Sequence, residues 1–142
     1  MANVSTVGLE ELFDDLESII ELPDETALAM LTAEAEVVAA AQTAEARAML
    51  AGDYSTGETA DSVTYGKKLT SKGGERCLYV YPNGTRKHGN RRRAAEVAYV
   101  NEYGKTNQSA RQFIRTANEK SAEAAVDAAA KVYDEYLKSK NL

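Results

Sequence analysis

A chain of 142 residues with one cysteine and one histidine has room for one domain's core, but it cannot form an intrachain disulfide or close a structural zinc site alone. Its 44% hydrophobic and 27% charged content suits a globular protein rather than a disordered one, and no apolar run reaches the roughly 20 residues of a membrane helix. The net charge of −5 conceals a division: residues 1–46 hold eleven acids and no lysine or arginine, whereas residues 66–93 hold nine bases against the single acid Glu75.

The opening MANVSTVGLEELFDDL lacks a basic segment followed by an apolar core, so no export signal is expected. Over residues 7–21, Leu9, Leu12, Phe13, Leu16, Ile19 and Ile20 fall on one helical face with acids on the other. Pro23 ends this helix, and Asp24 is expected to cap a second over about 25–50. There Leu28, Leu31, Ala35, Val38 and Gln42 step by three and four along an apolar face of an alanine-rich helix, which lets a partner approach closely.

After Gly52 the composition turns to Gly, Thr, Tyr and Lys. Val63 to Leu69 and Arg76 to Tyr81 read as the strands of one hairpin, joined near Lys72-Gly73-Gly74. Cys77, Tyr79 and Tyr81 alternate with Arg76, Leu78 and Val80, so neither face is plainly polar and both are expected to be covered in an assembly. A basic loop follows over 85–93. Ala94 to Tyr103 fits a strand or a short helix, with the helix favoured because Ala95, Ala98 and Glu102 then share a face. Gly104 breaks it. Ser109 is expected to cap a long last helix carrying Ile114, Ala117, Ser121, Ala125, Ala128, Val132 and Tyr136 on one side. The expected fold is α+β, with amphipathic N-terminal helices and a long C-terminal helix packed on a small antiparallel β-sheet.

Chemistry is hard to find in these residues. His88 sits among five cations and reads as a solvated loop residue, and Cys77 reads as a small core residue in an aromatic strand. STGETADS has no glycine-rich run after a strand and no Lys-Ser/Thr pair, so it does not make a phosphate loop. Acid pairs such as Asp14-Asp15 belong to a solvated helix face. No catalytic, cofactor-binding or metal-binding residue is expected, and the chain is not expected to be an enzyme. Arg86, Lys87, Arg91, Arg92 and Arg93 fit an interface with another subunit or partner, a salt-dependent contact to DNA phosphates, or an exposed loop with no dedicated role.

Three motifs carry a resemblance. Thr56, Gly57 and Ser62 match a Thr-Gly-x-Leu-x-x-Ser motif, with Thr59 in place of the usual leucine. Ala98, Tyr99, Glu102, Tyr103 and Gly104 match a tyrosine-rich Glu-aromatic-Gly element. Ala110, Arg111, Phe113, Ile114, Arg115 and Ala117 match Ala-Arg-Pro-Phe-Leu-Arg-x-Ala, with Gln112 where proline is usual. In this order, after an amphipathic and an alanine-rich helix, they resemble the head–tail joining or tail-completion proteins of tailed phages and prophages, neck components also called tail components or minor capsid proteins.

The resemblance implies one domain over 1–142, helical over 1–52, with hairpin and basic loop over 53–93 and turn motif and long helix over 94–142. It implies a structural virion protein of the neck or tail, made in the bacterial host cytoplasm and forming a ring, a hexamer, without cofactor or membrane. Its partners would be other copies of itself, a head connector or adaptor, and tail-tube or terminator proteins, with phage DNA in the lumen. Opposite-signed faces would meet head to tail between neighbours, the acidic helices against the basic 66–93 region. Within the chain, Glu102 is expected to pair with Arg111 or Arg115, which lie four apart, and so to pin the turn to the last helix.

Overall fold

The two alanine-rich stretches form long helices laid side by side in the computed structural model, which describes residues 7–53, 55–89 and 91–142 and, in the first helix, the side chains of residues 10–17. The elements in order are α1 (Val7–Ile20), α2 (Asp24–Met49), α3 (Glu58–Asp61), β1 (Val63–Tyr65), β2 (Thr70–Lys72), β3 (Glu75–Cys77), β4 (Val80–Pro82), α4 (Ala94–Tyr103) and α5 (Phe113–Ser139). The fold is α+β, as the residue pattern predicts. No helix among the described residues is long and apolar enough to cross a membrane.

Helix α2 buries Ala27, Ala35, Ala39, Gln42 and Ala46, and α5 buries Phe113, Ala117, Ser121, Ala125 and Ala129. The two helices pack along each other. Ala46, near the end of α2, clusters with Phe113 at the start of α5, so the helices run in opposite directions. Such small side chains let two helices approach to the short end of the usual range, about 8 Å between axes. The seam is closed by polar pairs at its edge: Gln42 Nε2 donates to Asn118 Oδ1 at 2.9 Å, and Lys120 Nζ reaches Glu45 Oε1 at 2.6 Å.

Strands β1 and β4 lie against α2, and β4 also against α4, while β2 and β3 pair chiefly with each other. One continuous hairpin was the expectation; the chain makes two short antiparallel ladders instead. Lys72 stands opposite Glu75 and Thr70 opposite Cys77, closed by Gly73 and Gly74 with φ of 61° and 83°, the backbone of a tight type I′ turn. Further out Val63 stands opposite Pro82 and Tyr65 opposite Val80, and the Gly66 N–H extends that register by donating to the Tyr79 carbonyl at 2.9 Å. Lys67, Lys68 and Leu69 are then left facing Leu78 alone, and this bulge breaks the ladder. Cys77 is half-buried, with Sγ 3.1 Å from Thr70 Oγ1 within this hairpin, rather than a core residue.

Several boundaries differ from the sequence expectation for local reasons. Asp24 is not a cap: Pro23 holds that position, and the Asp24 carboxylate pairs with Arg76 Nε at 3.0 Å. Of the apolar face expected on α1, Leu9, Ile19 and Ile20 lie outside the described side chains, while Leu12, Phe13 and Leu16 are exposed. On α4 the buried positions are Ala94, Ala98 and Glu102, with Ala95 exposed. Nor does Ser109 start α5. Lys105 and Gln108 bond each other's backbone at 2.9 and 3.0 Å, and the Arg111 N–H donates to the Asn101 carbonyl at 2.7 Å, so the chain stays in a tight loop until Phe113.

Candidate functional site

The three motif segments, separate in sequence, meet in space. Ala60 from the first, Ala98 from the second and Phe113 from the third pack with Ala46 into one buried cluster, with Leu50 and Ile114 against it. Phe113 is fully buried, the largest side chain to be so among the described residues.

Glu102 holds this junction together by a contact unlike the expected one. Its buried carboxylate accepts the backbone N–H of Ile114 at 2.8 Å and of Arg115 at 3.0 Å. These are the second and third residues of α5, the two amides that a helix-capping side chain satisfies. The carboxylate thus caps α5 from another helix and lies at the positive end of its dipole. The Arg115 guanidinium instead pairs with Glu119 at 3.0 Å, one turn along. Arg111 lies before α5, so it does not share a helical face with Arg115, and it ties down through its backbone. The pinning role is kept, but main-chain donors perform it.

Gly104 ends α4 with φ 79° and ψ −178°. A Cβ there would stand 2.7 Å from the Gln108 oxygen and 2.8 Å from the Ala110 nitrogen, so only glycine lets the returning chain pass so close. Tyr99 and Tyr103 lie on the outside of α4, both exposed, with ring centroids 4.7 Å apart.

The first motif anchors the basic loop. Gly57, at φ 74°, turns the chain into α3, and Ser62 Oγ donates to the Thr59 carbonyl at 2.7 Å. Glu58, which sequence reasoning did not single out, is the hub. Its Oε1 accepts the Lys87 N–H at 2.7 Å and the His88 N–H at 3.3 Å, and His88 Nδ1 lies 3.3 Å from the same oxygen. Its Oε2 lies 3.1 Å from the Thr56 hydroxyl and 3.5 Å from Arg86 Nε. The Lys87 amide above all, helped by Thr56 and His88 against an opposing desolvation, draws the carboxyl down from the ordinary 4.5 to about 2. The one sequence signal was a carboxylate directly after a helix-starting glycine, in a chain with five cations clustered over 86–93.

The loop is therefore fixed by its backbone, with Arg86 N–H also bonded to the Arg92 carbonyl at 3.0 Å. Of the five predicted cations, Arg86 is turned inward onto Glu58 and Thr56. Lys87, Arg91, Arg92 and Arg93 are exposed, and no carboxylate among the described residues lies within ion-pair distance of them. A cleft of about 570 Å³ opens beside the junction, with Arg47, Arg86 and Arg111 on its walls. Arg47 is taken up by Asp61 at 2.7 Å. Among the described residues no three His, Cys, Asp or Glu side chains converge as a metal site would require.

No family model, characterised protein or solved structure matches the chain.

Proposed function

We propose that the chain is a structural subunit of a tailed phage or prophage, forming a ring that joins the head connector to the tail. The resemblance of the three motifs supplies the phage assignment, and their convergence on one buried cluster accords with a shared structural purpose for them. The observation that carries assembly is the charge left unpaired within one copy. Lys87 and Arg91–Arg93 stand on a fastened loop without a carboxylate partner among the described residues, while Glu10, Glu11, Asp14 and Glu17 are exposed on α1. Among the described residues only Asp24–Arg76 joins the acidic region to the basic one, while Arg86 and Glu45 are taken up by Glu58 and Lys120. Faces of opposite sign on one subunit suit head-to-tail contacts between neighbours. The exposed Tyr99–Tyr103 pair offers an aromatic surface for the adjoining connector or tail ring. The test is electron microscopy of particles made with and without the chain. Filled heads and finished tails left unjoined in its absence are expected; joined particles would overturn the reading.

A second reading, contact with DNA, is favoured by the same fastened loop, whose four free cations are held ready for phosphates. It predicts retention of duplex DNA that weakens steeply with salt and is lost when Arg91, Arg92 and Arg93 are replaced by glutamine.

A further inference from the structure

We infer that α1 of one copy docks on the tyrosine face of the β-hairpin of a second copy. This rests on the chain being a self-assembling joint subunit, and it names the surfaces that would meet. Leu12, Phe13 and Leu16 are spaced as neighbours on one helical stripe, and they are 51%, 65% and 44% exposed. Helix α1 has no extended packing contact with any other element among the described residues. An apolar stripe of this kind, with acids around it, is built to be covered.

The hairpin offers the complement. Tyr79 and Tyr81 are two apart, so they point to the same side of the strand, and they are 50% and 41% exposed. The residue in register with Tyr79 is Gly66, which has no side chain to cover the ring. The neighbouring bulge carries exposed Lys67 and Lys68, and the hairpin end carries exposed Lys72. Apolar stripe therefore meets aromatic face, and Glu10, Glu11, Asp14 and Glu17 meet lysines. Charge complementarity of this kind selects the partner and its register.

The occupant is a second copy because one chain carries both complementary faces, the acidic apolar helix and the lysine-edged tyrosine face, while its own fold fixes where α1 ends. Arg76 on β3 donates to the Leu22 carbonyl at 2.7 Å and pairs with Asp24 at 3.0 Å, tying the α1–α2 turn to its own hairpin. Back from that tie α1 extends over about 20 Å, the length of 14 helical residues, and among the described residues no element of the same copy packs extensively on it. Docking α1 on the next copy's hairpin is a heterologous contact, which repeats from copy to copy and makes a ring where the rotation closes.

The test uses the full chain in light scattering over a concentration series at low salt. The Phe13→Asp/Leu16→Asp variant and the Tyr79→Asp/Tyr81→Asp variant each alter exposed side chains, and circular dichroism checks that both remain folded. Each alone is expected to weaken self-association by at least about tenfold. Mixed together they are expected to form a 1:1 heterodimer that grows no further, since one copy keeps α1 and the other keeps the hairpin. A wild-type chain that stays monomeric at every concentration, or variants that assemble like wild type, would overturn the docking. Binding of α1 to a partner ring in place of a second copy would overturn it too. The joint reading would survive any of these results, because the particle experiment judges it separately.

Discussion

Glu102 and Ile114 are twelve residues apart in sequence and 2.8 Å apart in space, carboxylate oxygen to amide nitrogen. With the second bond to the Arg115 amide, this contact makes α4 the capping element of α5. Helix α5 has no cap of its own, since Gln112 makes no side-chain capping bond. Replacing Glu102 by alanine removes two charge-assisted bonds at a buried site and leaves two amides unpaired. A loss of about 3 kcal/mol is expected. Glu102→Gln keeps one neutral acceptor oxygen and should lose roughly half as much. Urea unfolding of both variants checks the order, and equal losses would show that the charge contributes nothing.

The helical frame could be read from the residues because its signals are local and repeated. Apolar steps of three and four predict α2 and α5, and Gly104 predicts the break after α4. Of the expected α2 face only Ala35 and Gln42 are buried, since the smaller Ala27, Ala39 and Ala46 are buried there instead. Glu102 was also recognisable as the pin of the turn. Its true partners were not, because backbone amides become available only where a helix begins, and that start is set by the 105–108 loop rather than by Ser109. Glu58 was missed for a similar reason. Its donors at Lys87 and His88 lie 29 and 30 residues away on a loop whose path no local pattern encodes. The hairpin's strands were visible, but its bulge was not, since a register change depends on how both strands pack against α2.

Ser121 is buried among the alanines of α5, and its hydroxyl has no hydrogen-bond partner among the described residues. A hydroxyl taken out of water without a partner is a net cost, and serine is a poorer helix former than alanine. Ser121→Ala should therefore stabilise the chain by about 1 kcal/mol, read as a higher urea midpoint with an unchanged slope. A fall in the midpoint would mean that the hydroxyl is satisfied in solution.

Protonation of Glu58 should release the basic loop. Its folded pKa of about 2 lies below its ordinary 4.5, so its contribution is fully present above about 4.5 and is lost as pH falls through about 2. The carboxyl carbon of Glu58 should titrate with a midpoint near 2 by NMR, and the Lys87 amide proton should follow the same curve. A midpoint near 4.5 would show that the loop is not held by this side chain.

Gln112 separates the resemblance from this chain's own geometry. The motif that this segment resembles carries proline there, and proline fixes φ near −65°. Gln112 sits at φ 45° and ψ 40°, a left-handed conformation that proline cannot reach and that costs an ordinary residue about 1–2 kcal/mol. The turn is held in this shape from both sides. Glu102 fixes the amides that follow, and the Arg111 bond to Asn101 fixes the residue before. Gln112→Gly should thus gain roughly 0.5–1 kcal/mol, because relief of the left-handed strain outweighs the added freedom of the unfolded chain. Gln112→Pro should lose about 2–3 kcal/mol, because the ring must either break the turn or pull α5 off Glu102. Thermal unfolding of the pair decides the matter. If proline stabilises and glycine does not, the start of α5 follows the motif's usual geometry and the left-handed turn is wrong.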